Sequence, residues 1–204
     1  ESGPDALRAL DLVERLRARG RRVRWVETIR PHRDGSALEA VVDICKYLAQ
    51  QVESAVRQAE LPLVLGGDHS CAIGTWKGAA RALRSRGPIG VLWIDAHMDA
   101  HTPHTTPSGA LHGMPLACLL GHGDPALTAI AGGTRLEPGR VCLIGVRSFE
   151  PSEAALLQRL ALHAWQLRLR HPLSQDELLF TAPYPADFSQ AIEKLRLLTS
   201  YKKF

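Results

Sequence analysis

Three short, unbroken apolar runs, Leu61–Leu65, Ile89–Ile94 and Val141–Val146, alternate with stretches whose apolar residues recur at helical spacing. A half-exposed strand alternates apolar and polar residues, so continuous runs of this kind signal burial on both faces. The chain is therefore expected to form an α/β fold, three layers α/β/α around a mainly parallel sheet. Ligands of such folds collect at the carboxyl ends of the strands. Two of the runs end on reactive residues: Gly66-Gly67-Asp68-His69-Ser70 follows the first, Asp95-Ala96-His97-Met98-Asp99 the second.

Helices are expected over Pro4–Ala18, Ala37–Glu60, Cys71–Arg86, Pro115–Leu120 and Pro151–Leu169, with a further short strand at Val23–Thr28. Pro4 suits a first helical turn, and Gly20 ends the first segment. After residue 170 the pattern changes. Arg170–Glu177 lacks strand character, Thr181–Pro185 reads as a turn or extended linker, and Asp187–Leu198 reads as a terminal helix. The chain thus divides into an α/β domain over 1–170 and an atypical tail over 171–204.

At 204 residues, 45% hydrophobic and 23% charged, the chain has room for one domain with a real core. The net charge of +4 is spread over several basic runs, which reads as solvated helix faces rather than a nucleic-acid footprint. No apolar stretch approaches the ~18 residues that span a bilayer, and no leader pattern opens the chain. Cys45, Cys71, Cys118 and Cys142 show no C-x-x-C spacing and sit within apolar patterns. Free thiols in a reducing, cytoplasmic setting are expected, not disulfides or a thiolate metal cluster.

If extended backbone continued past Ile94, Asp95, His97 and Asp99 would point to one face at i, i+2 and i+4. A plainer arrangement is equally open, with Asp95 capping a turn and His97 hydrogen-bonded in the core. His69, presented by a neighbouring strand, tips the balance toward a shared crevice. Imidazole and carboxylate without thiolate suit manganese or a similar divalent ion. Asp68 is better placed to hold the turn or orient a ligand.

These motifs, and the loop Asp99–Gly113 with its Thr106, Ser108 and His112, resemble the ureohydrolases, and within them arginase. The resemblance runs from Glu1 to about Glu153. It implies an arginase-like fold and a binuclear manganese site. His69, Asp95 and Asp99 would hold one ion; His97 and a bridging Asp95 would hold the other. Two ions ~3.5–4 Å apart would acidify a shared water, the nucleophile toward a guanidinium carbon. Asp99 and His112 would be catalytic, His112 passing a proton to the leaving amine. Thr106 and Ser108 would grip a substrate carboxylate, although plain turn chemistry also explains them. The resemblance further implies a small guanidino substrate, a homo-oligomer, and no nucleic-acid or membrane partner.

The chain also departs from that pattern. His101 and Ala110 stand where arginases carry asparagines. Arg147-Ser-Phe-Glu150-Pro-Ser-Glu153 replaces Arg-Asp-x-Asp-Pro-x-Glu, which leaves His101, Glu150 and Glu153 as candidate substrate contacts. The family's opening strand, its Ser-x-Asp-x-Asp motif and its distal glutamate are not recognisable, so the fold is expected to be incomplete. Two carboxylates cannot balance two dications, and the second ion should bind poorly. Three functions follow: a manganese-dependent hydrolase releasing urea from arginine or another guanidino compound, a non-catalytic metal-binding relative acting as a subunit, and a deacetylase-like amidohydrolase. The Ser108–Gly113 loop counts against the last.

Overall fold

The computed structural model describes residues 3–30, 35–160, 166–170 and 177–181. The chain falls into two compact units, 1–162 and 163–204, a division at 162/163 where the sequence pattern changes at 170/171.

The first unit is built on helices α1 (Gly3–Ala9), α2 (Leu12–Arg17), α3 (Ala37–Arg57), α4 (Cys71–Leu83), α5 (Pro115–Leu119), α6 (Pro125–Thr128), α7 (Ile130–Gly133) and α8 (Pro151–Arg159). Strands β1 (Val91–Ile94) and β2 (Val141–Ile144) pair in parallel, with Val91 opposite Val141 and Ile94 opposite Ile144.

Helix α3 is fixed at its start by a reciprocal cap. Glu39 N donates to Ser36 Oγ, and Ser36 N donates to Glu39 Oε2 at 2.7 Å. Its buried face, Val42, Cys45, Leu48, Ala49 and Val52, meets the face of α4 that carries Ile73, Gly74, Lys77 and Gly78. The two glycines allow this close approach. A Cβ at Gly74 would lie 2.6 Å from the Cys45 carbonyl oxygen, and one at Gly78 closer still to that of Ala49. Between them, Lys77 is 1% exposed and donates from Nζ to the carbonyls of Thr128 (2.9 Å) and Thr134 (2.7 Å). Burial lowers its pKa to about 8.

The main core joins the inward residues of the sheet, Val91, Trp93 and Val141, to Leu116 and Leu119 of α5 and Leu157 of α8. Bonds beyond the strand ends hold the crevice together: Asp95 N to Ile144 O (3.1 Å) and Arg147 N to Ala96 O (2.8 Å). Among the described residues, no helix is long and apolar enough to cross a membrane. All four cysteines are free.

Several expected elements differ. The helix expected over Pro4–Ala18 breaks at Asp11, whose φ of 52° is left-handed, and neither half buries a residue. Helices draw most of their stability from a packed face, and here that support is missing. Among the described residues Val23–Thr28 and Leu61–Leu65 form no ladder, and Leu61 and Leu63 are 95% and 70% exposed. Their apolar pattern marks a need for burial, but a strand also needs a neighbour for its N–H and C=O groups. Helix α8 stops at Arg159.

In the second unit, β3 (Gln166–Arg170) pairs antiparallel with β4 (Glu177–Thr181), Gln166 opposite Thr181. Both strands correct the sequence reading. Gln-Leu-Arg-Leu-Arg alternates with period two, a strand signal masked by the helical spacing before it. The remainder of Thr181–Pro185 beyond Thr181, and Asp187–Leu198, lie outside the described residues.

Candidate metal centre

Strand β1 ends at Ile94, and the chain bends over residues 95–97. Asp95 Oδ1 accepts the His97 backbone N–H at 2.9 Å, folding the chain into a turn. Asp99 adopts φ 49° in the left-handed region. The i, i+2, i+4 alignment expected from strand geometry is therefore not what gathers these residues. The turn aims Asp99 inward, 7% exposed, while Met98 and Ala100 anchor the segment in the core. His97 stays exposed.

His69 approaches from the other side. Asp68 Oδ1 accepts from Ser70 N at 2.8 Å, which closes the turn after Gly66-Gly67 and carries His69 onto the crevice. Its Nδ1 lies 2.5 Å from Asp99 Oδ2 and 3.0 Å from Asp95 Oδ2. One ring nitrogen thus faces two carboxylates. The donor atoms of His69, Asp95 and Asp99 all lie within 4.8 Å of one another. A single proton on Nδ1 cannot serve both acceptors fully, whereas a cation between the three atoms can. The mixed nitrogen and oxygen donors fit a divalent ion such as manganese. The second oxygen of Asp95, Oδ1, lies 3.2 Å from His97 Nδ1. Asp95 therefore presents one oxygen to each imidazole, an arrangement suited to a carboxylate shared between two ions.

The electrostatics follow from these contacts. The hydrogen bond to Asp99 raises the His69 pKa against the opposing effect of burial, aided by the charges of Asp99, Asp95 and Asp68. Burial pushes the Asp95 carboxyl up, but the backbone and ring of His97 and the charge of His69 bring it below its ordinary value. Trp93, which sequence inspection passes over, stacks on His69 with ring centroids 4.5 Å apart. Burial alternates along β1, with Val91 and Trp93 inward and Leu92 and Ile94 exposed, a distinction that the unbroken apolar run does not carry.

A second group lies further along. His101, 7% exposed, approaches Glu150 Oε2 at 3.0 Å and Glu153 Oε2 at 3.5 Å through Nε2. Glu153 is buried and already engaged: Oε1 accepts from Ala100 N and Oε2 from Glu150 N, each at 2.9 Å. It ties the start of α8 to the segment carrying Asp99. Burial raises the Glu153 pKa, while contact with Glu153 and then with His101 lowers that of the exposed Glu150.

The loop between His101 and Gly113 is closed at its base by His101 N donating to Gly113 O at 3.0 Å. Thr106 Oγ1 accepts from Gly109 N (3.0 Å) and Ser108 Oγ from Ala110 N (3.2 Å). Both hydroxyls stabilise turns, yet each keeps its own O–H to donate. His112 is exposed on the short 3-10 turn Leu111–Gly113.

A family model described as the Arginase family matches residues 1–179. An arginase of Bacillus caldovelox is 41% identical over 169 residues, covering 78% of this chain and 56% of its own length. The solved arginase of Bacillus subtilis matches with a TM-score of 0.71 and 37% identity, over 79% of this chain and 56% of that one. That of Bacillus cereus gives 0.72 and 35%, over 79% and 55%. The chain spans about half the length of these relatives. With the crevice at the ends of a parallel β1–β2 pair and these matches across most of its length, the chain belongs to the arginase family.

Proposed function

We propose that the crevice is a manganese site serving an arginase-like hydrolase, which releases urea from a guanidino substrate, arginine first among the candidates. The observation that carries this reading is the convergence of His69, Asp95 and Asp99 within 4.8 Å, with His97 on the far oxygen of Asp95. These residues would hold a divalent ion, whose chemistry there would be to acidify a water and polarise the group under attack.

The protein's own residues divide the remaining work. His69, Asp95, His97 and Asp99 would hold the metal, and Asp99 would also take part in the chemistry beside it. The exposed imidazole of His112 holds the proton that the departing amine requires. Thr106 and Ser108 donate their free O–H groups to a substrate carboxylate. Glu150, exposed at the start of α8, meets a substrate ammonium. Glu153, with both oxygens on backbone N–H groups, acts by positioning. His101 sets the polarity beside Glu150. We place the protein in the cytoplasm, assembled with copies of itself, on the strength of its free cysteines and its family.

Urea release from arginine, agmatine and related guanidino compounds, with and without manganese, tests the reading. Activity that disappears in Asp95→Ala and His112→Ala supports it. A folded protein silent across the panel favours a second reading, a metal-binding subunit without turnover. That alternative is favoured by the two carboxylates that face His69 among the described residues, half the charge two dications carry.

A further inference from the structure

Trp93 is 2% exposed, and its ring plane lies 26° from that of His69 at a centroid distance of 4.5 Å. Its Nε1–H is buried without a hydrogen-bond partner among the described residues. A buried, unpartnered donor is unfavourable. Phenylalanine would fill most of the same space without that penalty, so the feature of indole that is used here is its broad face. That face is rigid, because Trp93 is fixed in the core beside Val91 and the α5 leucines. His69, by contrast, rides on a turn that begins with two glycines.

We propose that Trp93 is a positioning residue for the metal: its indole face sets the plane of the His69 ring, so that Nδ1 points at the position shared with Asp95 and Asp99. Without this support the ring can rotate about its side-chain bonds, and the convergence on Nδ1 is lost for part of the time. The inference rests on the metal reading above, and activity plays no part in its test.

The full chain, its Trp93→Phe variant and its Trp93→Leu variant are titrated with Mn2+, the free ion being followed by electron paramagnetic resonance. Supporting partners of metal ligands typically change affinity ~10–100-fold. About a tenfold loss is expected for Leu, with Phe intermediate because it retains a smaller face. The metal-free unfolding midpoint of Trp93→Phe should equal or exceed that of the parent, since the orphaned donor is gone. Mn2+ should also quench part of the parent's indole emission, and that part should be missing in both variants. Parent-like affinity in both variants overturns the inference and leaves the metal site standing. An affinity loss in Trp93→Phe matched by an equal loss of metal-free stability also overturns it, because the role is then merely structural. A parent chain that binds no Mn2+ overturns the metal reading and this inference together.

Discussion

His69 Nδ1 and Asp99 Oδ2 lie 2.5 Å apart across thirty residues of sequence. The contact joins the turn before α4 to the turn after β1, and both turns depend on an aspartate that accepts a backbone N–H two residues ahead. The arrangement is local at each end and long-range only in its meeting point. Asp99→Asn keeps the shape and removes the charge. Manganese affinity should fall by at least about tenfold, and calorimetric titration of the metal-free protein reads it directly.

Stoichiometry is a separate matter. Asp95 and Asp99 bring two negative charges to a place where two dications would bring four positive ones. Like charges within ~4 Å repel strongly at low dielectric. One tightly held manganese per chain is expected, with a second binding at least an order of magnitude more weakly. His97→Ala should affect only the weaker event. Elemental analysis after loading and desalting decides it, and two retained ions per chain would refute it.

Much of the site could be read from the sequence because its donors follow apolar runs and glycines within short motifs. The pairing of Asp95 with His69 was expected from two strand ends on one sheet edge, but among the described residues only Asp95 follows a paired strand, and the turn closed by Asp68 carries His69 to the crevice. The mechanism of convergence was not legible, because the sequence gives no sign that Asp99 turns left-handed instead of continuing the strand. Leu61–Leu65 has the pattern of a buried strand but no partner among the described residues, and a pattern alone cannot name a neighbour. Glu153 read as a ligand contact from its motif. Its burial, and the two backbone N–H groups it accepts from, depend on α8 docking against the Asp99 segment, a tertiary fact with no local trace.

Glu153 yields the next test. Glu153→Gln retains one acceptor oxygen and places an NH2 group against either Ala100 N–H or Glu150 N–H. Leaving one buried N–H unsatisfied costs about 1–3 kcal/mol. Urea denaturation of the metal-free chain should show a loss in this range with an unchanged slope. An unchanged midpoint would mean that the start of α8 is held by other contacts.

Lys77 gives a prediction in pH. Its ammonium is buried and its pKa lies near 8, against 10.5 for an ordinary lysine. Between these values the unfolded chain binds more protons than the folded one, so stability attributable to this residue rises with pH across that window. Below pH 8 both states are charged and the full desolvation penalty opposes folding. The bonds to Thr128 O and Thr134 O offset part of that penalty. Lys77→Met keeps the apolar stem but leaves two carbonyls without a donor, which should destabilise the fold by about 1–3 kcal/mol. The decisive measurement is the stability difference between parent and variant at successive pH values. It should widen in favour of the parent from pH 8 to pH 10.5, as the buried amine sheds its charge but continues to donate. A flat difference over that range would show that the two carbonyls hold the ammonium at its ordinary pKa despite burial, and a narrowing one that they raise it.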